Sequence, residues 1–594
     1  RIFDMWIGDW NKTNENWEWQ SHTVNDSVIY TPIVIDRNHA FTKVDGVLFK
    51  QMLKMLSLDF ICNYDSLILK DTKKINKLAF ALDMAVAGRS DESVWIRQAQ
   101  EIRKQMTDSL IDSAFTYLPE GVKHDEIELI KQKLKRRRLE LEAVASQYYR
   151  LLQRTPVVAG TNQSDYFLIE RQAPDRTILR IYDPETGDCR LEQQFSGKET
   201  KELWLYGLAG NDTFEVKGNT RKDFPIYLIS GEGENQYQLN HSRKIHVYDK
   251  DYKYDYQKIK YHKISFTPWG IYDSDKGISL GTFFTYTMYG FKRAPFTYQH
   301  RIGYNYLKGF MYAGVFPNYD GRRRLYLNAS ISSPRNFENF FGFGNNTAGY
   351  KEEKKNYNRV KLRTYMLNPS FEMDLRKEEV VTFFGSLDMY KAKRTDDRYI
   401  YTVYGEDHPI FRTNYFVGLG ATYRITKQPY SWLPLLETEW TAGWKMNLKK
   451  PERNFPYAQG SLSWNVRFSD RFTWASLMKG TVLFDNDYEF YQAATIDLRG
   501  FRDNRFIGKQ SFYQYSDLRL DMGKLKNPFT PLKYGLFAGF DYGRVWFPGE
   551  RSHCWHTSYG GGIWLTFLNK FTTKYSWFGS TDSFRFAFEL GLGF

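Results

Sequence analysis

Cysteine is almost missing from this chain. Three residues in 594, Cys62, Cys189 and Cys554, stand far apart, with none of the paired spacings of a disulfide framework, a zinc site or a redox motif. Long apolar runs are missing too. No stretch approaches the roughly 18 consecutive apolar residues that a spanning helix needs, and the mean hydropathy is −0.58. A helical membrane protein is thereby excluded, whereas a membrane β-barrel is not, because alternation of inward and outward residues keeps its average polar. The sequence also lacks a Walker loop, an HExxH helix and a serine nucleophile elbow, so no cofactor is expected and enzyme activity would rest on residues outside this chain. The chain opens at Arg1-Ile-Phe-Asp4 without initiator Met or signal peptide, from which we expect that upstream residues are missing or were removed.

Aromatic residues are abundant, with 16 Trp, 43 Tyr and 45 Phe making up 18% of the chain, a load that argues against disorder. The formal charge is +14, from 83 Lys+Arg against 69 Asp+Glu. Such a balance suits nucleic acid or an anionic lipid surface. Its densest run, Lys131-Gln-Lys-Leu-Lys-Arg-Arg-Arg138, has no interleaved aromatics to stack bases. It reads as a solvated helix face, and no nucleic-acid partner is expected.

The chain divides near residue 260. Residues 1–160 read as a mostly helical domain. Asp71-Thr72 is placed to cap a helix with apolar positions Ile75, Leu78, Leu82 and Val86, ending at Gly88, and further helices are predicted over about Val94 to Tyr117 and Ile127 to Leu151. Residues 161–260 read as a small β domain of short strands such as Tyr166–Glu170, Thr177–Tyr182 and Leu203–Tyr206. Two of its turns, Gly207–Phe214 and Gly231–Tyr237, resemble the glycine-aspartate turns of calcium-binding β-rolls. The candidate carboxylate ligands there are Asp212 and Glu234, and two imperfect copies make no calcium ladder, so they read as structural turns with no metal expected.

From residue 261 to 594 the text is almost continuous alternation. Phe296, Tyr298, His300, Ile302, Tyr304 and Tyr306 share one face and Thr297, Gln299, Arg301, Gly303 and Asn305 the other. Leu325, Leu327, Ala329 and Ile331, and again Leu462, Trp464, Val466 and Phe468, repeat the pattern. Strands that end in Tyr, Trp and Phe fit lipid interfaces. The fold class expected is a transmembrane β-barrel of about sixteen antiparallel strands, beginning near Gly277–Met288 and preceded by an α+β region. In the last segment Phe584, Phe586, Phe588, Leu590, Leu592 and Phe594 alternate with small or polar residues including Gly591 and Gly593. It has the form of the C-terminal signal strand of bacterial outer-membrane barrels.

The sequence Asp497-Leu498-Arg499-Gly500-Phe501-Arg502 resembles the loop motif of the BamA/TamA/FhaC-type surface-antigen superfamily. The resemblance implies that Arg499 lies on a long extracellular loop tucked into the barrel lumen. Acids on the next two strands would hold it, and Asp517 in Ser516-Asp-Leu-Arg519 and Asp541 in Gly539-Phe-Asp-Tyr-Gly543 match those strand motifs. A guanidinium that forks between carboxylates fixes distance and orientation together, and Gly500 would let the backbone turn close to the wall. Asn339-Phe-Phe-Gly-Phe-Gly-Asn345 resembles an early extracellular loop of many members.

The resemblance implies an outer-membrane location with a periplasmic N-terminal region, and a weak seam between the first and last strands through which polypeptides are inserted or translocated. Expected partners are outer-membrane lipid and lipopolysaccharide, polypeptide clients, and other outer-membrane assembly proteins or lipoproteins. The usual repeated polypeptide-transport modules do not occur in residues 1–260, an arrangement similar to Bacteroidetes fusions in which a metallophosphoesterase precedes such a barrel. Two alternatives follow: an anchor or exporter for such a fused enzyme upstream, or a diffusion porin. Finally, Asp9, Asn11, Asn14 and Asn16, with Asp36 in Ile35-Asp-Arg37, resemble a kinase-like catalytic loop. The phosphate-cradling Lys and Gly-rich loop are missing, so the segment reads as a degenerate scaffold.

Overall fold

The computed structural model describes the chain except for residues 25–26, 45–49, 51–52, 54–57, 119–123, 219–222, 241–242, 250–251, 253, 259–261, 274, 294, 319, 348–355, 428–435, 526–531, 568–570 and 593–594. It forms two compact units, Arg1–Lys260 and Tyr261–Phe594.

Each helix foreseen in the first unit is interrupted, and side-chain hydrogen bonding accounts for it. Buried Asn76 donates from Nδ2 to the Thr72 carbonyl at 2.8 Å, a local bond that competes with the helical ladder; the first helix accordingly splits into Thr72–Ile75 and Phe80–Val86. The Thr107 hydroxyl accepts from Leu110 N–H at 3.2 Å and starts a new helix, Asp108–Ala114, after Glu92–Gln105. The third breaks between His124–Arg138 and Leu141–Leu152. There Arg137 turns inward, donating to the carbonyls of Trp6 at 2.7 Å and Met5 at 2.6 Å. The basic run is largely consumed internally: Lys131 pairs with Glu128, Lys135 with Asp112 and Arg138 with Asp108, all within 2.8 Å.

The β region is a parallel coil of stacked rungs. Strands Val157–Ala159, Leu203–Tyr206, Ile226–Ile229 and Ile245–Tyr248 form one sheet, and Tyr166–Gln172, Thr213–Gly218 and Gln236–Leu239 line up in the other. Inside, Phe167 stacks on Phe214 at 4.6 Å and Phe214 on Tyr237 at 5.7 Å. Three turns stack rather than the two read from the sequence, because residues 160–165 belong to the series. Side chains of one rung cap the backbone of its neighbours. Asp212 Oδ1 accepts from Asp165 N–H at 2.9 Å, Asn235 Oδ1 from Asp212 N–H at 3.0 Å, and Asn211 Oδ1 from Glu234 N–H at 2.9 Å.

The second unit is a closed antiparallel barrel in chain order. Its wall strands are β1 Lys263–Asp273, β2 Gly277–Met288, β3 Tyr298–Asn305, β4 Gly309–Pro317, β5 Arg323–Ile331, β6 Arg359–Arg376, β7 Glu379–Ala392, β8 Asn414–Lys427, β9 Leu436–Asn447, β10 Lys450–Arg467, β11 Phe472–Leu483, β12 Gln510–Leu525, β13 Leu532–Trp546, β14 His556–Phe567, β15 Phe571–Gly579 and β16 Phe584–Leu592. A short strand, Phe337–Asn339, pairs only with the start of β6. The wall therefore begins at Lys263 and not at Gly277–Met288, which is the second strand. Pro268 obscured the first: proline cannot donate to a ladder and sits on edge strands, and β1 proves to be the strand with a nearly free edge.

Alternation sorts the wall into two faces. Ile278, Leu280 and Phe284 are 66%, 64% and 46% exposed, whereas Ser279, Thr285 and Thr287, at the alternate positions of the same strand, are buried. Leu419, Trp440, Phe540 and Tyr559 continue the outer apolar surface, which only a lipid environment would cover around a whole barrel. The inner face carries paired charges, among them Arg324 with Glu372 at 2.7 Å and Lys445 with Asp388 at 2.8 Å.

Asp212 in the β coil has an orphaned oxygen. It is fully buried, its Oδ2 has no hydrogen-bond partner, and this oxygen and the Ser230 carbonyl both crowd the place that a Cβ on Gly207 would occupy. Burial, with the Asp165 charge adding to it, raises the carboxyl to about 7. A folded-state value above the unfolded one means that the protonated acid is the stable form, so the coil loses stability as pH rises toward and through 7. Asp212→Asn, which copies Asn235 of the next rung, should remove this dependence and stabilise the coil by about 2 kcal/mol at pH 8. Hydrogen exchange in strands 203–206 and 213–218 of the full chain at pH 5 and 8 would read it; an unchanged pH profile would refute it.

Candidate functional site: a loop seated inside the barrel

The long connection between β11 and β12, residues 484–509, is the sixth on its rim and carries the Arg-Gly-Phe sequence. Its base is a small hairpin in which Ala494 and Thr495 pair with Gly508 and Ile507. Its apolar residues Ile496, Leu498, Phe501 and Phe506 are buried with Tyr513 and Val545 of the wall. This packing turns the intervening Arg499 toward the inner faces of β12 and β13.

Arg499 Nη1 lies 2.6 Å from Asp517 Oδ1, and Nη2 2.5 Å from Asp541 Oδ1. Its Nε also reaches Asp541 at 3.1 Å, and its backbone N–H donates to Asp541 Oδ2 at 3.0 Å. Asp541 is fully buried, and its Oδ2 also accepts from the Ser558 hydroxyl at 2.7 Å. Asp517 is shared with Lys574 at 3.3 Å. The guanidinium lies over the Phe578 ring, 3.9 Å from its centroid, a favourable cation–π placement. Arg519 Nη2 also lies 3.5 Å from Asp517 Oδ2, so both buried acids are countered by cations, the condition under which such charges are tolerated.

Glycines make room for this. A Cβ on Gly539 would lie 2.7 Å from Arg499 Nη2, and one on Gly500 2.6 Å from the Ser558 Cβ and 2.9 Å from the Gly579 carbonyl. The Gly500 carbonyl accepts from Ser580 Oγ at 2.7 Å. Phe501 packs edge-on against Phe506 at 5.2 Å.

Residues that the motif did not include complete the seat. Arg502 pairs with Asp275 in the β1–β2 turn and Arg505 with Asp582 in the β15–β16 turn. The third loop clamps from the side: Asn345 Nδ2 donates to the Val545 carbonyl at 2.8 Å, Glu550 accepts from Asn345 N–H at 2.7 Å, and Gly344 N–H donates to Ile507 at 2.8 Å. Phe340, Ile400, Ile410 and Phe490 add an apolar cluster that ties the third, fourth and sixth loops together.

At the seam, β1 and β16 meet through one residue pair among the described residues, Tyr272 with Phe588. On its other side β1 pairs with β2 along its whole length. Phe584 faces outward, 71% exposed. Leu590 and Gly591 continue the β16 backbone, whereas Gly593 and Phe594 lie outside the described residues.

The other candidates separate. Asp212 is buried inside the coil while Glu234 is exposed on a turn, and among the described residues no cluster of three or more His, Cys, Asp or Glu is placed to hold a metal. The kinase-like residues do converge: fully buried Lys12 pairs with Asp9 and donates to the Asp36 carbonyl at 2.7 Å, and Asn16 Nδ2 lies 3.4 Å from Asp36 Oδ2. The Lys12 ammonium thus sits between the Asp9 carboxylate and the Asp36 main-chain carbonyl, while Asn14 accepts from Tyr256 instead.

No protein-family model and no curated protein matches this chain. Among solved structures it is similar to BamA from Haemophilus ducreyi lacking POTRA domains 1-3, at 12% identity and a TM-score of 0.40, over 56% of this chain and 70% of that one. It is also similar to CdiB from Escherichia coli, at 10% identity and TM-score 0.35, over 55% of this chain and 62% of that one. CdiB from Acinetobacter baumannii gives 10% and 0.34, over 57% and 66%.

Replacing Arg499 by Ala leaves two acids without their guanidinium in a buried cluster, a loss of about 3–5 kcal/mol of local stability. Arg499→Lys should fall between, because an ammonium cannot fork to both acids. Protease cleavage within residues 484–509 of the folded barrel should rise in the order wild type, Lys, Ala; equal resistance in all three would contradict this assignment.

Proposed function

We propose that this chain is an outer-membrane barrel of the BamA-type superfamily that inserts polypeptides into, or translocates them across, that membrane. Residues 1–260 would stand on the periplasmic side. The observation that carries the reading is the contrast at one junction. Every other neighbouring pair of wall strands is registered over most of its length, but among the described residues β1 and β16 share one pair, Tyr272 with Phe588. An edge paired over so little of its described length is a template for another strand, and within lipid such an edge is tolerated only while something covers or pairs it.

The seated sixth loop supports the same reading over a diffusion porin. A porin needs an unobstructed lumen, and here Arg499 and its acids lie on the inner faces of β12 and β13 beneath a cap of packed loops. The lipid-facing girdle and basic rim would meet membrane phosphates, which assists seating in an anionic leaflet.

A cysteine lock tests the proposal. With Cys62, Cys189 and Cys554 changed to Ser, Tyr272→Cys and Phe588→Cys should form a disulfide across the seam. Oxidation should then arrest client insertion or export and reduction restore it, as followed by pulse-labelling newly made outer-membrane proteins. Unimpaired client assembly with the seam locked would count against the reading. In planar bilayers we expect small, flickering openings; a steady large conductance would favour a porin.

A further inference from the structure

Asp275, on the turn of the first hairpin, is 2% exposed and gathers groups from three separate parts of the barrel. The sixth loop contributes the Arg502 guanidinium and the Asp503 N–H, at 3.1 Å from Oδ2 for the latter. The third loop contributes Asn339 Nδ2 at 2.9 Å. Strand β16, on the far side of the seam, contributes Arg585 Nη2 at 3.7 Å. Arg359 at the start of β6 additionally donates to the Asp275 carbonyl.

The last hairpin is held in a matching way. Arg505 pairs with Asp582 in the β15–β16 turn and lies over the Phe341 ring, 5.0 Å from its centroid, and Ser580 of the same turn donates to Gly500. Two arginines three positions apart on one loop thus grip the two hairpins that flank the seam. Arg502 is 9% and Arg505 4% exposed, so neither pair is a solvent-screened surface contact. Across the same junction the backbone supplies one residue pair among the described residues.

We propose that Arg502–Asp275 and Arg505–Asp582 form a latch on the seam, so that closure of β1 against β16 depends on the seating of the sixth loop more than on hydrogen bonds within the seam itself. Asp275 is the hub. Its carboxylate is what lets Arg502 and Arg585 approach from the two sides, and without it two guanidiniums face each other. The latch requires only the barrel geometry, so it can fail while the insertion reading stands, and the reverse.

The experiment uses the full chain in outer-membrane vesicles, with the native cysteines replaced by Ser and the Tyr272→Cys/Phe588→Cys pair as reporter of seam distance. Asp275→Asn and Asp582→Arg should each slow disulfide closure about tenfold, with the heat-modifiable gel mobility of the folded barrel retained. Adding Arg505→Asp to Asp582→Arg should restore closure to near the starting rate. Closure at the starting rate in both single variants overturns the latch, as does failure of the reversed pair to recover it. Should Asp275→Asn fail to assemble, Asp582→Arg and its reversal decide the matter alone.

Discussion

A sheet in lipid must satisfy every backbone N–H and C=O from within the protein, because the hydrocarbon offers no water to replace a missing strand. Closure of the wall is therefore the constraint on which the rest of this molecule depends. It explains the alternation, since each strand meets lipid on one side and polar lumen on the other, and the close registration of β2 to β16. Among the described residues it also makes the junction of β1 with β16 the place where the requirement is least well met, and hence the place where other interactions contribute.

Those interactions are charged. In the lumen beside the sixth loop Arg499 bridges Asp517 and Asp541 while Lys574 reaches Asp517, and the rim holds Arg502, Asp275, Arg505 and Asp582. Buried charges of this kind add little net stability over apolar packing, but each is costly to leave alone. What they supply is position: a forked guanidinium accepts one arrangement of two carboxylates, and a loop anchored by it cannot drift by an ångström without losing both.

The barrel was legible because its signal is periodic and local. Leu325, Leu327, Ala329 and Ile331 announce an outer face within one strand. Arg499, Asp517 and Asp541 could be set side by side only through a resemblance, since nothing in their spacing says that they meet. The first strand escaped because Pro268 breaks the expected pattern, and Asp275 escaped because its partners lie up to 310 positions along the chain, at Arg585. In the first unit the helical period was visible, yet Asn76, Thr107 and Arg137 interrupt it through side-chain bonds that a hydrophobic stripe does not encode. The stacking of residues 160–165 under 207–212 was likewise hidden, because this turn keeps Gly160 but has Gln163 where the next has Gly210.

The stacked turns of the β coil bear on how this part of the chain can change length over evolutionary time. Each rung supplies the caps for its predecessor, Asn235 for Asp212 and Asp212 for Asp165, so the heritable unit is a complete rung. A tandem duplication of one whole rung would reproduce donor and acceptor at both of its borders and lengthen the coil without disturbing its ends. Insertion of a single residue within a turn would instead put that turn's caps out of step with the backbone they serve.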